Sequence, residues 1–502
     1  MVSMRVIELG STDYSKLAEI GQDVSWSFEP ELKEEDPYCD VAFVARQVSD
    51  SEAAYLMRHV RAYCLFVEEQ VVMSAAVKRM CRSRQGRRYS EAGIADLLAT
   101  KLRDYYSKSY GEKFYPERLA VSPNFSGNVQ LEGSVAMVLS GSFGDTMRQA
   151  AFWRSSIPVE QGQAIDFWLE YQKSGSVEIE LVIRQFVQGS ISTVENVWKF
   201  SEKDLRNVVT IENRKVSGPV FVSLNAKGEG SLRIVALHDR FSRHGLGAFL
   251  PGGVRSVTET REELFTYFDP GNLKPPLAVY FSGYKTMEGF EGYYMMRRFG
   301  CPFLLVSDSR LEGGDFYLGD AAYEKLVVDA IEKARTWLGF SSSQMVFTGL
   351  SMGTFGALYY AAELPCRDIV VGKPLLNLGT VAENERLRRP GGFPTSLDVL
   401  EKEYGSLDAA AQERLNRRFW DRFDEADWAG RSIYAAYMIE DDYDVQAYPD
   451  LLRSMRGRGA KVVGKGLHGR HNDDTHGIVV WFKDQLGRVL AQYGEDSDDC
   501  AG

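Results

Sequence analysis

Apolar and polar positions along the chain follow three different rhythms. Over about residues 1 to 124, short apolar runs such as RVIEL and DVAFVA alternate with helical segments such as SEAAYLMRHVRAYCLFVEEQ and EAGIADLLATKLRDYYSKSYG. That alternation predicts a small α/β unit. No glycine-rich phosphate loop follows its first strand, so the unit does not read as a nucleotide site. From about 125 to 250 the period drops to two: AIDFWLEYQ, SVEIELVIRQF, VENVWKF, GPVFVSLNA and GSLRIVALHDRF alternate polar and apolar side chains between Gly, Ser, Asn and Lys turns. Short strands at that spacing predict a β-sandwich or jelly roll. FLPGGVRS and FDPGNLKPP then break the pattern, which marks a boundary near 250 to 275. Beyond it, PLAVYFSG, PFLLVSD, QMVFTGLS, DIVVGKP, SIYAAYMI and AKVVGKG are short, mostly apolar runs, each followed by a helical or loop segment. Parallel central strands with helices on both faces are the expected result.

Composition narrows the function classes. With 502 residues, 44% of them hydrophobic and 26% charged, the chain is long enough for more than one core. A formal net charge of −11 argues against nucleic acid as the main partner, since phosphate binding needs a basic face. The basic run KRMCRSRQGRR, residues 78 to 88, reads as a solvated loop rather than a binding patch. MVSMRVIELGSTDYSKL has no basic region leading into a long apolar run, and nowhere do about eighteen apolar residues run together, so neither a secretion signal nor a transmembrane segment is expected. Cys39, Cys64, Cys81, Cys301, Cys366 and Cys500 are scattered without a CxxC pair and read as reduced cysteines of a cytoplasmic protein. Trp153, Trp168 and Trp198 of the period-two region could stack on sugar rings, but tryptophans in such strands are more often core.

Chemistry enters at MVFTGLSMGTFGALYYAAELP, residues 345 to 365. Gly349 and Gly353 flank Ser351 between a short strand and an amphipathic helix, the setting in which Gly-x-Ser-x-Gly forms a nucleophile elbow rather than an ordinary turn. Residues 251–502 are therefore expected to be an α/β-hydrolase-like catalytic domain, after a small α/β region (1–124) and a β-sandwich of carbohydrate-binding type (125–250). A serine hydroxyl needs a base, and the base an orienting acid. LHGRHNDDTHG, between the last strand and the last helix, offers His468, His471 and His476; His471, in the middle of the loop, is the choice for the base. The turn after SIYAAYMI offers Glu440, Asp441, Asp442 and Asp444, with Asp441 placed first. Oxyanion donors are expected from the backbone N–H of Met352 and from Gly283 or Tyr284 in SGYKTMEGFEG. No metal-ligand spacing such as HExxH and no nucleotide loop for a tightly bound cofactor is present.

Together, VYFSGYKTMEGFEGYYMMRRFGCPFLLVSDSRLEGGDFYLG, FTGLSMGTFGALYY, AYMIEDDYDVQAY and GRHND resemble the accessory Sec system proteins of the second Asp type, found in Gram-positive bacteria that export serine-rich repeat adhesins. The resemblance covers most of the chain and is strongest from about 270 to 480. It implies an O-acetyltransferase acting on N-acetylglucosamine residues of the adhesin glycoprotein, needed also for its export. Ser351 would accept the acetyl group, with His471 as base and Asp441 as acid. The family acid is a glutamate, so the choice among the four carboxylates stays open. The resemblance further implies an acetyl donor, acetyl-CoA being one candidate, and as partners the first and third Asp-type proteins and the accessory SecA ATPase. It places the protein in the cytoplasm, with peripheral association at the inner face of the membrane. Two other readings fit the same residues: a serine esterase or peptidase with water as acceptor, and an export chaperone with a vestigial site.

Overall fold

The computed structural model describes residues 4–17, 21, 23–106, 109–190, 192–213 and 216–499; Cys500 lies outside the described residues. β1 (Met4–Leu9), β2 (Val24–Phe28), β3 (Val41–Val44), β4 (Leu65–Glu68) and β5 (Arg87–Tyr89) form a parallel sheet in the order β2-β1-β3-β4-β5. VAFV and LFVE are buried at every position, as the centre of a parallel sheet requires. α1 (Asp50–His59) joins β3 to β4, α2 (Ala75–Arg84) joins β4 to β5, and α3 (Glu91–Asp96) follows β5. A capping box starts α1, with Ser49 accepting the Glu52 N–H and Glu52 the Ser49 N–H.

The basic run at 78–88 is not a solvated loop. It is most of α2, a left-handed turn at Gln85, and the start of β5. Helical spacing explains the difference: Val77, Met80 and Arg84 share the buried face of α2. Arg84 is drawn inside by Asp269 of the third sheet, 2.8 Å away.

The second sheet holds ten antiparallel strands: β6 (Gly111–Phe114), β7 (Leu119–Val121), β8 (Asn128–Glu132), β9 (Ala136–Trp153), β10 (Ile157–Val159), β11 (Ala164–Gly175), β12 (Glu178–Phe186), β13 (Val194–Ser201), β14 (Val209–Glu212) and β15 (Gly218–Phe241). Bulges between Leu224 and Glu229 shift the register of β15 on β9 and bend both strands. Before the bulges β15 lies between β12 and β9; after them it lies between β11 and β9. Both halves share one apolar core, so a single bent sheet takes the place of the expected two-sheet sandwich. β6 and β7 join it from ahead of residue 125, too short to show a period in the sequence. Trp153 and Trp168 are buried, and Trp198 is half-buried against the same core.

The third sheet has eight strands: β16 (Val254–Val257), β17 (Glu263–Asp269), β18 (Leu277–Phe281), β19 (Phe303–Asp308), β20 (Met345–Leu350), β21 (Asp368–Gly372), β22 (Ser432–Met438) and β23 (Lys461–Leu467). Their order is β16-β17-β19-β18-β20-β21-β22-β23, parallel from β19 to β23 with antiparallel β16 and β17 at one edge. Around it run α4 (Tyr293–Phe299), α5 (Ala321–Leu338), α6 (Met352–Glu363), α10 (Ala447–Met455) and α11 (Thr475–Asp499); the excursion between β21 and β22 carries α7 (Leu378–Leu387), α8 (Thr395–Tyr404) and α9 (Ala409–Glu425). The arrangement is α/β-hydrolase-like.

Buried polar contacts join the units. Arg84 bonds Asp269, the Ser83 hydroxyl donates to Gly271 O at 2.5 Å, and Tyr63 OH donates to Phe268 O at 3.0 Å. Arg84→Ala would leave Asp269 buried without its cation, and losing one partner of a buried pair costs about 3–5 kcal/mol. A clear fall in the urea midpoint of unfolding is the expected outcome; an unchanged midpoint would show that the pair does not hold the junction.

Candidate active site

The site begins where β20 meets α6. Five of the six residues of β20 are buried, and α6 starts at Met352, leaving Ser351 between them at φ 51° and ψ −119°. A side-chain-bearing residue pays on the order of 1–3 kcal/mol for such a conformation. Both flanking glycines are needed because strand, helix and the neighbouring strand nearly touch. A Cβ on Gly349 would stand 2.3 Å from Gly353 O, and one on Gly353 would stand 2.1 Å from Phe281 O. Ser351 N–H donates to Gly372 O at 2.8 Å, and the Thr354 hydroxyl donates to Ser351 O at 2.6 Å, fixing the turn from both sides.

Ser351 Oγ lies 2.9 Å from His471 Nε2, and His471 Nδ1 lies 2.8 Å from Asp441 Oδ2. His471 is 2% exposed and Asp441 7%, so the chain of hydrogen bonds is shielded from water except at the serine. Asp441 Oδ1 also accepts the N–H groups of Tyr443 at 2.8 Å and Asp444 at 3.1 Å. Burial works to raise the Asp441 pKa, but the His471 hydrogen bond and charge together with these two N–H groups hold it below the ordinary value.

The other carboxylates of EDDYD have different work. Glu440 takes His468 Nδ1 at 3.0 Å and the Gly469 N–H at 2.6 Å. Asp442 accepts the His471 N–H at 3.0 Å, which fixes the backbone of the histidine. Asp444 is buried and accepts the N–H groups of Leu376 and Asn377 at 2.8 and 2.7 Å. His468 and His476 are exposed. Among the described residues, Asp441 is the carboxylate that meets the imidazole ring.

The expected oxyanion donors divide. Gly283 N–H is already spent on Glu291 Oε2 at 2.6 Å, so it is withdrawn as a donor; a carboxylate at that position would also repel an oxyanion. The N–H groups of Tyr284 and Met352 meet no acceptor among the described residues. For Met352, the first residue of α6, that follows from its place at a helix N-terminus.

Further residues shape the site without having been singled out in the sequence. The Tyr443 ring lies parallel to the His471 ring, 4.3 Å between centroids at 4°. The Arg389 guanidinium sits 3.6 Å from the centre of the Tyr443 ring, and Asn472 donates to Tyr443 OH at 3.1 Å. Tyr443 stands inside EDDYD and was within reach of a local reading. Arg389 was not, because it arrives from the excursion between β21 and β22. Lys373, just after β21, is buried with its ammonium 3.0 Å from the Thr475 hydroxyl. Burial pulls its pKa below the usual lysine value, with the charges of Asp441, Asp474 and Asp473 opposing.

The sequence profile of the accessory Sec system GspB-transporter family matches residues 4–494, a span that includes all three sheets and every residue of this site. The chain belongs to that family. Accessory Sec system proteins of the second Asp type from Staphylococcus aureus and Streptococcus gordonii are each 40% identical, over 392 and 387 residues. The matches cover 76% and 77% of this chain and 75% and 76% of theirs. A chain in the solved Glycosylation Associate Protein (Gap123) complex from Streptococcus agalactiae superposes with a TM-score of 0.85 at 34% identity, covering 98% of both chains. This accessory Sec system component has, among its described residues, no helix long and apolar enough to cross a membrane.

The Asp441 pKa gives a test of the site's electrostatics in this accessory Sec protein. Its folded value lies below the ordinary 3.8, so the carboxylate stabilises the fold above that value and stops doing so as pH falls through the folded one. Asp441→Asn removes this contribution. The stability gap between wild type and variant in urea denaturation is expected to narrow as pH falls from about 5 to about 3; a gap independent of pH would contradict the assignment.

Proposed function

We propose that the chain is a serine-dependent O-acetyltransferase. In this reading it moves an acetyl group from an activated donor, through an acetyl-Ser351 intermediate, to a hydroxyl of N-acetylglucosamine on a serine-rich repeat glycoprotein. Support comes above all from one observation, the continuous hydrogen-bond chain from Ser351 Oγ through His471 to Asp441 at 2.9 and 2.8 Å. Ser351 Oγ attacks the donor carbonyl carbon while its proton passes to His471 Nε2. Asp441 holds the Nδ1 proton and stabilises the imidazolium that forms. Charge gathers on the carbonyl oxygen, where the N–H groups of Met352 and Tyr284 would receive it. Collapse expels the donor's leaving group, which takes the proton from His471. The sugar hydroxyl then attacks the acetyl-serine, gives its proton to His471, and leaves as the ester with Ser351 restored. A thioester such as acetyl-CoA supplies a suitable donor.

The same reading assigns the chain a place in adhesin export, in the cytoplasm at the inner face of the membrane. The glycoprotein is its substrate, and the first and third Asp-type proteins and the accessory SecA ATPase are its partners. Membership of the accessory Sec family supports that assignment. So does the superposition on a chain solved in a complex of glycosylation-associated proteins.

Mass spectrometry after incubation with an activated acetyl ester tests the nucleophile and base together. Acetylation at Ser351 is expected in the wild type and neither in Ser351→Ala nor in His471→Ala; acetylation that persists in Ser351→Ala would remove the reading. Asp441→Asn is expected to slow acetylation of a GlcNAc-bearing glycopeptide by roughly 10,000-fold, the scale seen when a triad acid loses its charge. Release of free acetate in large excess over glycopeptide acetylation would turn the assignment toward an esterase.

A further inference from the structure

A cavity of about 540 Å³ lies between the first unit and the base of the third sheet, with Arg58, Arg79 and Arg84 on one wall and Arg297 and Arg298 on the other. Five guanidinium groups face two carboxylates, Glu34 and Asp269, in a chain whose formal net charge is −11. The local excess of positive charge is therefore the opposite of the chain's average.

Pairing within the protein accounts for part of it. Arg58 holds Glu34 at 2.6 Å and Arg84 holds Asp269 at 2.8 Å. His59 is committed to backbone oxygens, its Nδ1 3.0 Å from Tyr55 O and its Nε2 3.2 Å from Glu34 O. Three arginines are left over. Arg79 and Arg298 are exposed at the cavity wall and have no acidic partner among the described residues. Arg297 is 7% exposed; its guanidinium lies 3.9 Å from the centre of the Tyr38 ring and one Nη donates to His59 O at 2.8 Å. Its Nε is buried without an acceptor. The exposed guanidinium forks of Arg79 and Arg298 are free to meet an oxyanion in the cavity, and paired guanidinium forks match the oxygens of phosphoryl groups better than any other side chain.

The cavity is separate from the serine site. Phe303, which lines it, pairs with Ala278, and Leu277 and Ala278 pair with Met345 and Val346, so it lies level with the start of β20. Ser351 follows the other end of that strand, about 17 Å away at about 3.3 Å per residue. A neighbouring groove lined by Lys78, Arg82 and Lys274 shares Arg79 with the cavity and continues its positive surface.

We propose that this cavity binds a small molecule carrying a diphosphate group, held between Arg79, Arg297 and Arg298 and so bridging the first and third units. The site is independent of the acetyl-transfer reading and stands or falls separately from it. Isothermal titration of the full chain with inorganic pyrophosphate at low salt tests it, with citrate as the carboxylate control. One pyrophosphate per chain is expected, bound more tightly than citrate and weakened about tenfold or more in the Arg79→Ala/Arg298→Ala double variant, a loss of one or more charged hydrogen bonds. Ser351→Ala should bind as wild type does. Failure of the wild type to bind pyrophosphate at millimolar concentration, unchanged binding in the double variant, or a preference for citrate would each overturn the proposal. Both substituted residues are exposed, and a thermal melt matching wild type shows that any lost binding is not lost folding.

Discussion

The close passage of β20 and α6 is the constraint on which the candidate site rests. Ser351 is held at a positive φ because its N–H is tied to Gly372 and its carbonyl to Thr354, while glycines on either side remove the Cβ atoms that would collide. A serine at that corner points away from both elements rather than packing into either. The strain is affordable because the surroundings are among the most tightly buried parts of the chain: Met345 to Phe347 and Met352 to Ala361 are all buried around it. Packing there supplies the rigidity that a nucleophile needs.

Topology brings the other two residues to the serine. β22 and β23 are parallel neighbours in register, Met438 opposite Leu467 at their ends. Parallel neighbours lie about 4.8 Å apart, so the loops leaving those ends start side by side. Asp441 and His471 stand three and four residues beyond, close enough to meet at 2.8 Å. Every parallel strand of the sheet ends on this face, which is where α/β sheets gather their chemistry. The histidine ring is then clamped edge and face, by Asp441 at Nδ1 and by the Tyr443 ring backed by Arg389.

How much of this could be read in the sequence depended on how local the physics was. The elbow was legible because its requirement for Gly349 and Gly353 is met within five residues, and the three-part rhythm of the chain reflects burial patterns that need no long-range information. His471 could be chosen over His468 and His476 from its place in the loop. Among the four carboxylates, place in the turn puts Asp441 first, but the choice itself turns on which one faces a ring thirty residues away. Gly283 departs from expectation for a similar reason: Glu291, eight residues on, folds back and takes its N–H. In 78–88, charge content masked helical spacing, and the buried partner of Arg84 lies 185 residues away.

The second sheet also has a physical claim on the site, through the loop that follows β18. Glu288 of that loop exchanges backbone hydrogen bonds with Gly111, and its carboxylate is bonded by His238 at 2.7 Å and Arg240 at 2.7 Å, both on β15. Arg240 also grips Glu263 of β17, so one guanidinium joins the β-rich unit to two parts of the third sheet. Burial by itself would push both carboxyls up, yet Arg240 and His238 outweigh it and hold Glu263 and Glu288 well below the usual carboxylate range. Charges so deeply buried are costly to separate, which makes the junction an all-or-none contact. Tyr284 lies four residues before Glu288 in the same loop. Tyr284, proposed above as an oxyanion donor, is therefore tied to the β-rich unit through this loop.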